Sequence, residues 1–376
     1  MKYIKPQYYD TFECAAGACP DTCCAGWQIM IDEDSLEKYS QVSGAFGNRL
    51  YRSIDWEEGA FKQKKGRCAF LNEKDLCDLY TALGKDALCN TCRMYPRHVE
   101  EFDGLREMSL SLSCPIAAKM ILTCKEGLEL IEEEDDEPEE LAEEFEEFDT
   151  LLFSQLQDAR NVMFRLLSRR EVSIEHRMAQ IIQTAREMQV CIDEARYFEI
   201  DDVIRKLEER METIKELTEG GEPDFHKVCT EFQILCDLER LRPEWSEVLH
   251  STWECLLARG ETAYEQLMDD FEKAYGDESL YGEAWSIFTE NLFGFFLLTY
   301  FCGAVYDDWI YSKAALAWFS VRWIRNIICA DWALGRFDEE SYWEHWIQVA
   351  YRYAREIEHS DENLNMLEEQ LQPEEE

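Results

Sequence analysis

The chain has 376 residues, of which 46% are hydrophobic and 13% aromatic, and its formal net charge is −42. This length and composition exclude a disordered chain and allow two domains, each with its own core. Residues 1–124 carry 15 Lys+Arg against 18 Asp+Glu, whereas the remaining residues carry 23 against 62. The acidity therefore belongs to the second part, where it excludes nucleic acid as a partner and favours a cationic one.

The first residues, MKYIKP, lack the apolar core and small-residue cleavage site of an export signal. We therefore expect a cytoplasmic protein, in which clustered cysteines stay reduced and bind metal more often than they form disulfides. The uncharged run 291–306 is shorter than the roughly 20 residues needed to cross a bilayer. It predicts a buried core helix and no transmembrane segment, and leaves only peripheral membrane association open.

Ten of the 16 cysteines lie in the first 124 residues. Their spacings are C-x4-C-x3-C-C, C-x8-C, C-x2-C and a later cysteine followed by proline. Two thiolates separated by two residues can hold one ion or one edge of a cluster, and the longer loops supply further ligands. Cys124 falls in a helix predicted over 115–130 and is a poor candidate. The predicted metal ligands are Cys14, Cys19, Cys23, Cys24, Cys68, Cys77, Cys89, Cys92 and Cys114.

Short strand and turn signals lie between these cysteines. The segment 68–80 predicts a tight hairpin with a cysteine on each arm. Asp103-Gly104 predicts a two-residue turn between strands at 98–102 and 108–113. We therefore expect a small cysteine-rich, metal-binding α+β domain over residues 1–125, in which hairpins bring distant cysteines together.

The second part of the chain predicts helices. Residues 126–158 contain 16 acidic residues and no Lys or Arg, and we assign an acidic linker to 126–140. Beyond it, apolar residues recur every three or four positions, as on one face of a helix. The sequence predicts an all-α domain over 141–376 and hence a mainly α protein. Its helices are predicted from Leu141 to Met163, from Met178 to Met188, and at 200–219, 225–241, 244–258, 261–275, 283–305, 311–331 and 340–358.

The cysteines exceed the needs of one four-thiolate site. Their spacing is compatible with two zinc ions, with an iron–sulfur cluster plus one zinc, or with a cluster and spare thiols. Arg93, Tyr95 and Arg97 directly follow Cys92, and guanidinium groups beside a metal could hold a ligand carboxylate. Pairing of these arginines with nearby acidic residues explains them equally well. No glycine-rich nucleotide loop and no C-x3-C-x2-C motif occurs, so no catalytic residue can be assigned.

Five cysteine-bearing motifs follow one another in the first 115 residues. They are Cys14-x4-Cys19-Pro20-Asp21-Thr22-Cys23-Cys24-Ala25-Gly26-Trp27, Gly66-Arg67-Cys68-Ala69-Phe70-Leu71-Asn72, Leu76-Cys77-Asp78-Leu79-Tyr80, Leu88-Cys89-Asn90-Thr91-Cys92-Arg93-Met94-Tyr95-Pro96-Arg97 and Ser109-Leu110-Ser111-Leu112-Ser113-Cys114-Pro115. In this order they resemble the flagellin lysine N-methylase family. Some of these steps are shared with a broader class of cysteine-rich zinc- or iron-chelating proteins.

The resemblance implies a cytoplasmic enzyme that transfers a methyl group from S-adenosylmethionine to lysines of flagellin. It also implies an iron–sulfur cluster, of the 4Fe-4S type, on the cysteines, with zinc as an alternative or additional metal. Methyl transfer needs a neutral amine, and an acidic surface would raise the pKa of the amine. We therefore assign the acidity of the second domain to docking of flagellin. The alternative functions are a non-catalytic, zinc-stapled interaction or metal-handling protein and, third, an electron-transfer protein.

Overall fold

The structure is a computed structural model that describes residues 1–135, 148–213, 224–276 and 279–373. Within these residues it contains 15 α-helices and eight short strands, all eight of them in the first 135 residues. The mainly helical class predicted from the sequence is thereby confirmed. We call residues 1–135 the N-terminal region and residues 148–373 the helical region.

The N-terminal region combines strands with five short helices. The strands are β1 Lys2–Pro6, β2 Ile54–Asp55, β3 Ala60–Phe61, β4 Gln63–Lys64, β5 Arg67–Cys68, β6 Arg97–Phe102, β7 Leu105–Leu110 and β8 Leu130–Glu134. The helices are α1 Glu33–Ser40, α2 Gly44–Ser53, α3 Asp78–Leu83, α4 Asn90–Met94 and α5 Pro115–Leu122. Four strands form one sheet in the order β6-β7-β1-β8, and β2-β3 and β4-β5 form two small ones.

The hairpin predicted around Asp103-Gly104 is confirmed. Strands β6 and β7 are antiparallel, with Phe102 opposite Leu105. Gly104 has a φ of 72°, which the turn requires and which glycine adopts without steric cost.

The segment 68–80 differs from the hairpin predicted for it. Leu71 does form a bridge to Cys77, but Cys77 then begins helix α3 instead of a second strand. The reason is local, because the side chain of Asn72 accepts hydrogen bonds from the backbone of Lys74 and Leu76 and closes a tight loop.

The helix predicted over 115–130 is also shorter than expected. It ends at Leu122, because the chain turns at Gly127, with a φ of 80°, to enter β8. Cys124 therefore lies outside the helix.

Part of the predicted acidic linker is a strand. Strand β8 pairs with β1 from Lys2 opposite Glu134 to Pro6 opposite Leu130. The buried Lys5 Nζ lies 2.7 Å from a carboxylate oxygen of Glu133, so the basic strand β1 offsets the charge of the acidic strand. Residues 130–134 thus differ from the prediction. Residues 136–140 and the predicted helix start at Leu141 lie outside the described residues.

The helical region contains α6 Thr150–Leu167, α7 Ile174–Asp193, α8 Ile200–Thr213, α9 Phe225–Asp237, α10 Pro243–Thr252, α11 Glu261–Tyr275, α12 Gly282–Tyr300, α13 Ile310–Ala333, α14 Tyr342–Glu358 and α15 Asp361–Gln370. A π-helical turn, Trp253–Leu257, extends α10, and a 3₁₀ turn, Phe301–Val305, extends α12. Helix α15 was not predicted, because its sequence is mostly acidic and amide residues with few apolar positions. The other helices lie where their periodicity places them, apart from the part of 200–219 outside the described residues.

Helices α12 and α13 lie at the centre of the helical region. Within the described residues one stretch, Gly282–Val305, is long and apolar enough to cross a membrane, but 83% of its most apolar window is buried inside the protein. This burial agrees with the core helix predicted from the run 291–306.

Two apolar cores hold the fold together. The larger core runs from the four-stranded sheet into the helices and includes Phe102, Leu110, Leu156 and Phe293. The smaller core lies within the N-terminal region; we call it the inner core, and it contains Ile29, Tyr39, Leu50, Ile54, Phe61 and Phe70, with cysteines among and around them. The sheet therefore packs with the helices, while Cys24, Cys68, Cys77, Cys89 and Cys92 belong to a separate core.

Candidate functional site at the cysteine loop and helix α14

The nine predicted ligands lie on loops, at the end of strand β5 and at helix starts of the N-terminal region. Cys77, Cys89 and Cys114 directly precede α3, α4 and α5, and Cys92 lies in the first turn of α4. Helix N-termini favour thiolates, because their unpaired N–H groups carry partial positive charge. Cys14, Cys19, Cys23 and Cys24 lie on one segment, residues 13–25, which we call the cysteine loop.

Neighbouring thiols shift each other's protonation. The hydrogen bond from Cys24 lowers the pKa of Cys23 to about 7 against the effect of burial, and the charge of Arg355 lowers it further. The same hydrogen bond, together with burial, raises the pKa of Cys24. Cys89 and Cys92 repeat this pattern, with the pKa of Cys89 lowered and that of Cys92 raised. Each pair therefore holds one thiolate more readily than an isolated cysteine does.

Helix α14 brings a guanidinium group to the cysteine loop. Arg355 is 1% exposed and donates from Nη1 to the carboxylate of Asp21 and from Nε to the carbonyl oxygen of Ser113, at 2.9 Å. A second arginine, Arg242 before α10, donates to the carbonyl oxygen of Ala25 at 2.7 Å. Two cations of the helical region thus contact the loop that carries Cys19, Cys23 and Cys24.

Three rings lie beside these arginines, and we call Trp27, Tyr95 and His359 the aromatic group. The rings of Trp27 and His359 stack with centroids 4.9 Å apart, and Tyr95 lies 5.9 Å from Trp27. The hydroxyl of Ser113 lies 3.0 Å from the Tyr95 hydroxyl and 3.1 Å from His359 Nε2. Burial and the charges of Arg355 and Arg242 lower the pKa of His359 to about 3, so the imidazole is neutral.

Glu358, at the end of α14, fixes the residues before Cys114. Its carboxylate accepts hydrogen bonds from the backbone N–H of Leu112 at 3.1 Å and of Ser113 at 2.9 Å, and from the hydroxyl of Ser111. Three hydrogen bonds to one carboxylate hold this segment against the helical region.

Two buried nitrogen atoms at this junction have no hydrogen-bond partner among the residues that the structure describes. They are Nη2 of Arg355 and Nδ1 of His359. A buried donor without a partner costs about 1–3 kcal/mol, so such atoms mark a place where a ligand can bind. An anionic or hydrogen-bond-accepting group, such as a carboxylate or an inorganic sulfide, suits the Arg355 donor.

The cysteines suit a thiophilic metal chemically. Among the residues that the structure describes, no three His, Cys, Asp or Glu side chains are arranged to hold one ion. Because metal binding is coupled to folding, a bound metal would draw the thiols together. The donor set therefore fits a thiolate-bound metal or cluster by its chemistry.

The trio predicted to assist binding is divided by the fold. Tyr95 belongs to the aromatic group. Arg93 is exposed and donates to Asn90 of its own helix. The guanidinium of Arg97 lies over the rings of Tyr9 and Phe12, 5.6 and 5.3 Å from their centroids.

Cys124 lies apart from the other cysteines. Its thiol donates to the carbonyl oxygen of Gly127 at 3.4 Å, at the turn before β8.

Four residues of this junction are not predicted from the sequence: Arg242, Arg355, Glu358 and His359. A signal was present, because Arg355 and His359 are four residues apart and follow Tyr351 on the same face of a helix. That pattern shows a polar position within an apolar face. It does not show that the cysteine loop covers the face.

Two cavities lie elsewhere in the molecule. A cavity of about 430 Å³ opens between α9 and α10 beside Cys236, His250 and Trp253. Another of about 390 Å³ lies between β8 and α6, lined by Glu132, Arg160 and others. Neither is lined by a predicted metal ligand.

Comparison with known proteins finds one matching family and several similar Salmonella proteins. The family FliB lysine N-methylase C-terminal domain matches residues 160–375. The flagellar biosynthetic protein FliU of Salmonella muenchen is 30% identical over 135 residues, which cover 34% of this chain and 80% of that protein. Lysine-N-methylases of Salmonella typhimurium and Salmonella choleraesuis are 29% identical over 137 residues. No solved structure matches significantly.

The matched parts differ in extent. The alignments cover 34% of this chain and 34% of each of the two Salmonella lysine-N-methylases. The family match is longer, spans more than half of the chain from within α6 to beyond α15, and includes Arg242, Arg355 and His359. On this match, the chain belongs to the FliB lysine N-methylase family.

Proposed function

We propose that this protein is a lysine N-methyltransferase that uses S-adenosylmethionine to methylate flagellin, with an iron–sulfur cluster on its N-terminal cysteines. Its family is one of lysine N-methylases, and one relative is named as a flagellar protein. The observation that carries the proposal is the junction of the cysteine loop with Arg355 and the aromatic group. We place the reaction in the cytoplasm.

Methyl transfer requires a neutral lysine amine, and the surroundings of His359 would favour one. The lysine nitrogen bonds to the donor's methyl carbon while the carbon–sulfur bond breaks, and the methylated ammonium then loses a proton. Only a neutral amine can attack. Burial, Arg355 and Arg242 disfavour positive charge at His359, and they would lower the pKa of a lysine amine placed beside it in the same way.

The rings and the guanidinium could position the donor. The faces of Trp27 and Tyr95 suit a sulfonium or a methylated ammonium, because aromatic faces attract such cations. Nη2 of Arg355 has no partner and suits the carboxylate of the donor. This places on Arg355 a role that the sequence predicts for Arg93 and Arg97.

The cysteines Cys14, Cys19, Cys23 and Cys114 would hold the cluster in this proposal. Because the exposed Cys14 is the most easily displaced of the four, such a cluster would supply an iron atom able to bind the amino and carboxylate groups of the donor in place of that thiolate. Arg355 would neutralise part of the charge of the thiolates, since its field acts on both Cys19 and Cys23.

The acidic surface of the helical region would dock flagellin. It carries most of the chain's negative charge and would attract lysine-bearing segments, while the reacting amine is neutralised only at the junction.

A transfer assay tests the proposal. The protein is purified without oxygen and incubated with methyl-labelled S-adenosylmethionine and unmodified flagellin. We expect label on lysine, its loss in Cys23→Ser, and its retention in Cys229→Ser, a half-buried cysteine of α9. A colourless, zinc-containing protein that leaves lysine unlabelled would instead support the non-catalytic, zinc-stapled alternative.

A further inference from the structure

We infer that the cysteines form two separate metal centres, an inner one of Cys24, Cys68, Cys89 and Cys92 and an outer one of Cys14, Cys19, Cys23 and Cys114. The inner centre would bind a single zinc-like ion that stabilises the N-terminal region. The outer centre would carry the group that acts in methyl transfer. Only the identity of this outer group rests on the proposed function.

The inner cysteines share one apolar core. Cys68 and Cys89 are buried in it, and Cys24 and Cys92 pack against it. The backbone N–H of Cys68 donates to the carbonyl oxygen of Cys24 at 3.0 Å, which joins the cysteine loop to the end of β5.

Helix α4 presents the other two inner thiols to the same core. The carboxylate of Asp32 accepts from the N–H of Asn90 at 2.7 Å and fixes the start of α4 between Cys89 and Cys92. The thiol of Cys89 points back to the carbonyl oxygen of Met30, at 3.7 Å. The end of β5, the Cys-x2-Cys start of α4 and Cys24 of the cysteine loop together supply four thiolates, the number typical of a closed, structural zinc site.

The outer cysteines have different neighbours. Cys114 is buried in the larger core, at the start of α5, where Glu358 holds the preceding residues. Cys19 and Cys23 flank Asp21, whose carboxylate binds Arg355. Cys14 is exposed, which leaves this set open to solvent and to a second molecule, as an active centre requires.

The adjacent pair Cys23-Cys24 divides the two sets. Adjacent residues rarely direct both side chains to one ion, and here the two belong to different surroundings. Cys24 packs on the inner core, whereas Cys23 lies two residues after Asp21, whose carboxylate binds Arg355 of the helical region. Cys77 packs on the inner core as well. Because a structural zinc ion binds four ligands, Cys77 would be a fifth thiol that does not bind the ion.

Metal analysis tests the two centres without measuring methyl transfer. Wild-type protein, purified without oxygen, is expected to contain about one zinc per chain together with iron and acid-labile sulfide. Cys19→Ser should lose iron and visible absorbance and keep zinc. Cys68→Ser should lose zinc and melt at a lower temperature, and Cys236→Ser, a helical-region control, should keep both metals.

The wild type and Cys19→Ser decide the question even if Cys68→Ser does not fold. Two zinc ions without iron would keep the two centres and contradict the proposed cluster. A single metal centre in the wild type, or loss of all metal in Cys19→Ser, would overturn the inference.

Discussion

Single ionisable side chains determine how the helical region meets the cysteine loop. Arg355 and Glu356 are adjacent in the sequence, so they point to different sides of α14, and yet each is only 1% exposed. Arg355 binds Asp21 of the loop, whereas the Glu356 carboxylate accepts a hydrogen bond from the N–H of Leu241 at 2.8 Å. Adjacent residues of α14 thus bind two different segments of the chain.

Glu356 should make stability depend on pH. Burial raises its pKa from 4.5 to about 7, so the folded state holds a proton that the unfolded state releases between these values. The contribution of Glu356 to the free energy of unfolding therefore falls as pH rises from about 4.5 to about 7. At pH 8, Glu356→Gln should raise the free energy of unfolding by roughly 2–3 kcal/mol. Urea unfolding at pH 4 and pH 8 measures the difference.

The exposed Glu362 provides the matched control for that experiment. Glu362→Gln should change the free energy of unfolding equally little at both pH values. An equal effect of Glu356→Gln at pH 4 and pH 8 would show that its carboxyl is not the titrating group.

Arg97 should act in stability and not in donor binding. Its guanidinium lies over Tyr9 and Phe12 and donates to the carbonyl oxygen of Phe12 at 3.4 Å. We expect Arg97→Ala to lower the free energy of unfolding by about 1 kcal/mol and to leave the donor's Kd unchanged. Calorimetric titration with S-adenosylmethionine checks this, and a weakened Kd would support the role predicted from the sequence.

At the scale of elements, one buried ion pair joins the sheet to the helices. Arg160 of α6 is 1% exposed and donates to Glu107 of β7, with one of the two contacts at 2.7 Å. It also donates to the carbonyl oxygen of Leu298 in α12, at 3.2 Å. Three elements therefore depend on one guanidinium group.

Removing either partner of this pair alone should lower the free energy of unfolding more than removing both partners together. Arg160→Met or Glu107→Leu alone leaves a buried charge unpaired and should lower the free energy of unfolding by about 3–5 kcal/mol. The double variant should recover most of that loss. Denaturant unfolding of the four proteins measures the coupling.

The exposed pair Arg205–Asp202, 2.8 Å apart on α8, serves as the reference for that cycle. Its coupling should stay below about 1 kcal/mol. Additive losses at Arg160 and Glu107 would show that the two side chains do not stabilise the fold as a pair.

The sequence predicts elements well where a periodic pattern is long and apolar. The uncharged run 291–306 predicts a buried helix, and Asp103-Gly104 predicts the hairpin of β6 and β7, because each signal is local. Strand β8 could not be predicted in the same way. Its acidic residues predict a solvated segment. They form a strand because Lys2 and Lys5 of β1, more than 120 residues earlier in the sequence, lie beside them in the fold.

At the scale of the whole molecule, most of the negative charge lies away from the candidate functional site. The acidity lies mainly beyond residue 124, whereas the junction at the cysteine loop is lined by Arg242 and Arg355. A cationic protein would thus be attracted over a wide surface but would meet cationic groups at the junction. In the proposed function, docking and reaction make opposite demands on a lysine, and this distribution of charge would separate them.

The docking proposal predicts a salt dependence. Raising salt from about 50 to 300 mM shortens the Debye length from about 14 to about 6 Å and should raise the KM for flagellin. We expect kcat to change little. A short, uncharged peptide with a single lysine is the control, and equal salt effects on both substrates would exclude docking by the acidic surface.

The candidate metal-binding cysteines could be proposed from the sequence, because their spacing is itself the signal. Their partners could not. Arg355 and His359 lie more than 230 residues after Cys114 and carry no motif, and only the packing of α14 on the cysteine loop brings them to Ser113. The same distance explains why Arg93 and Arg97, next to Cys92 in sequence, were the arginines proposed for the site.

The most direct test of the central claim, that α14 and the cysteine loop form one reacting site, is methyl transfer by Arg355→Lys. Lysine keeps the charge but cannot bind Asp21, Ser113 and a ligand at once, so label on flagellin lysine should fall about 100-fold relative to the wild type. Arg352→Lys, an exposed position of the same helix, should transfer normally. Wild-type rates in a folded Arg355→Lys protein would contradict the claim.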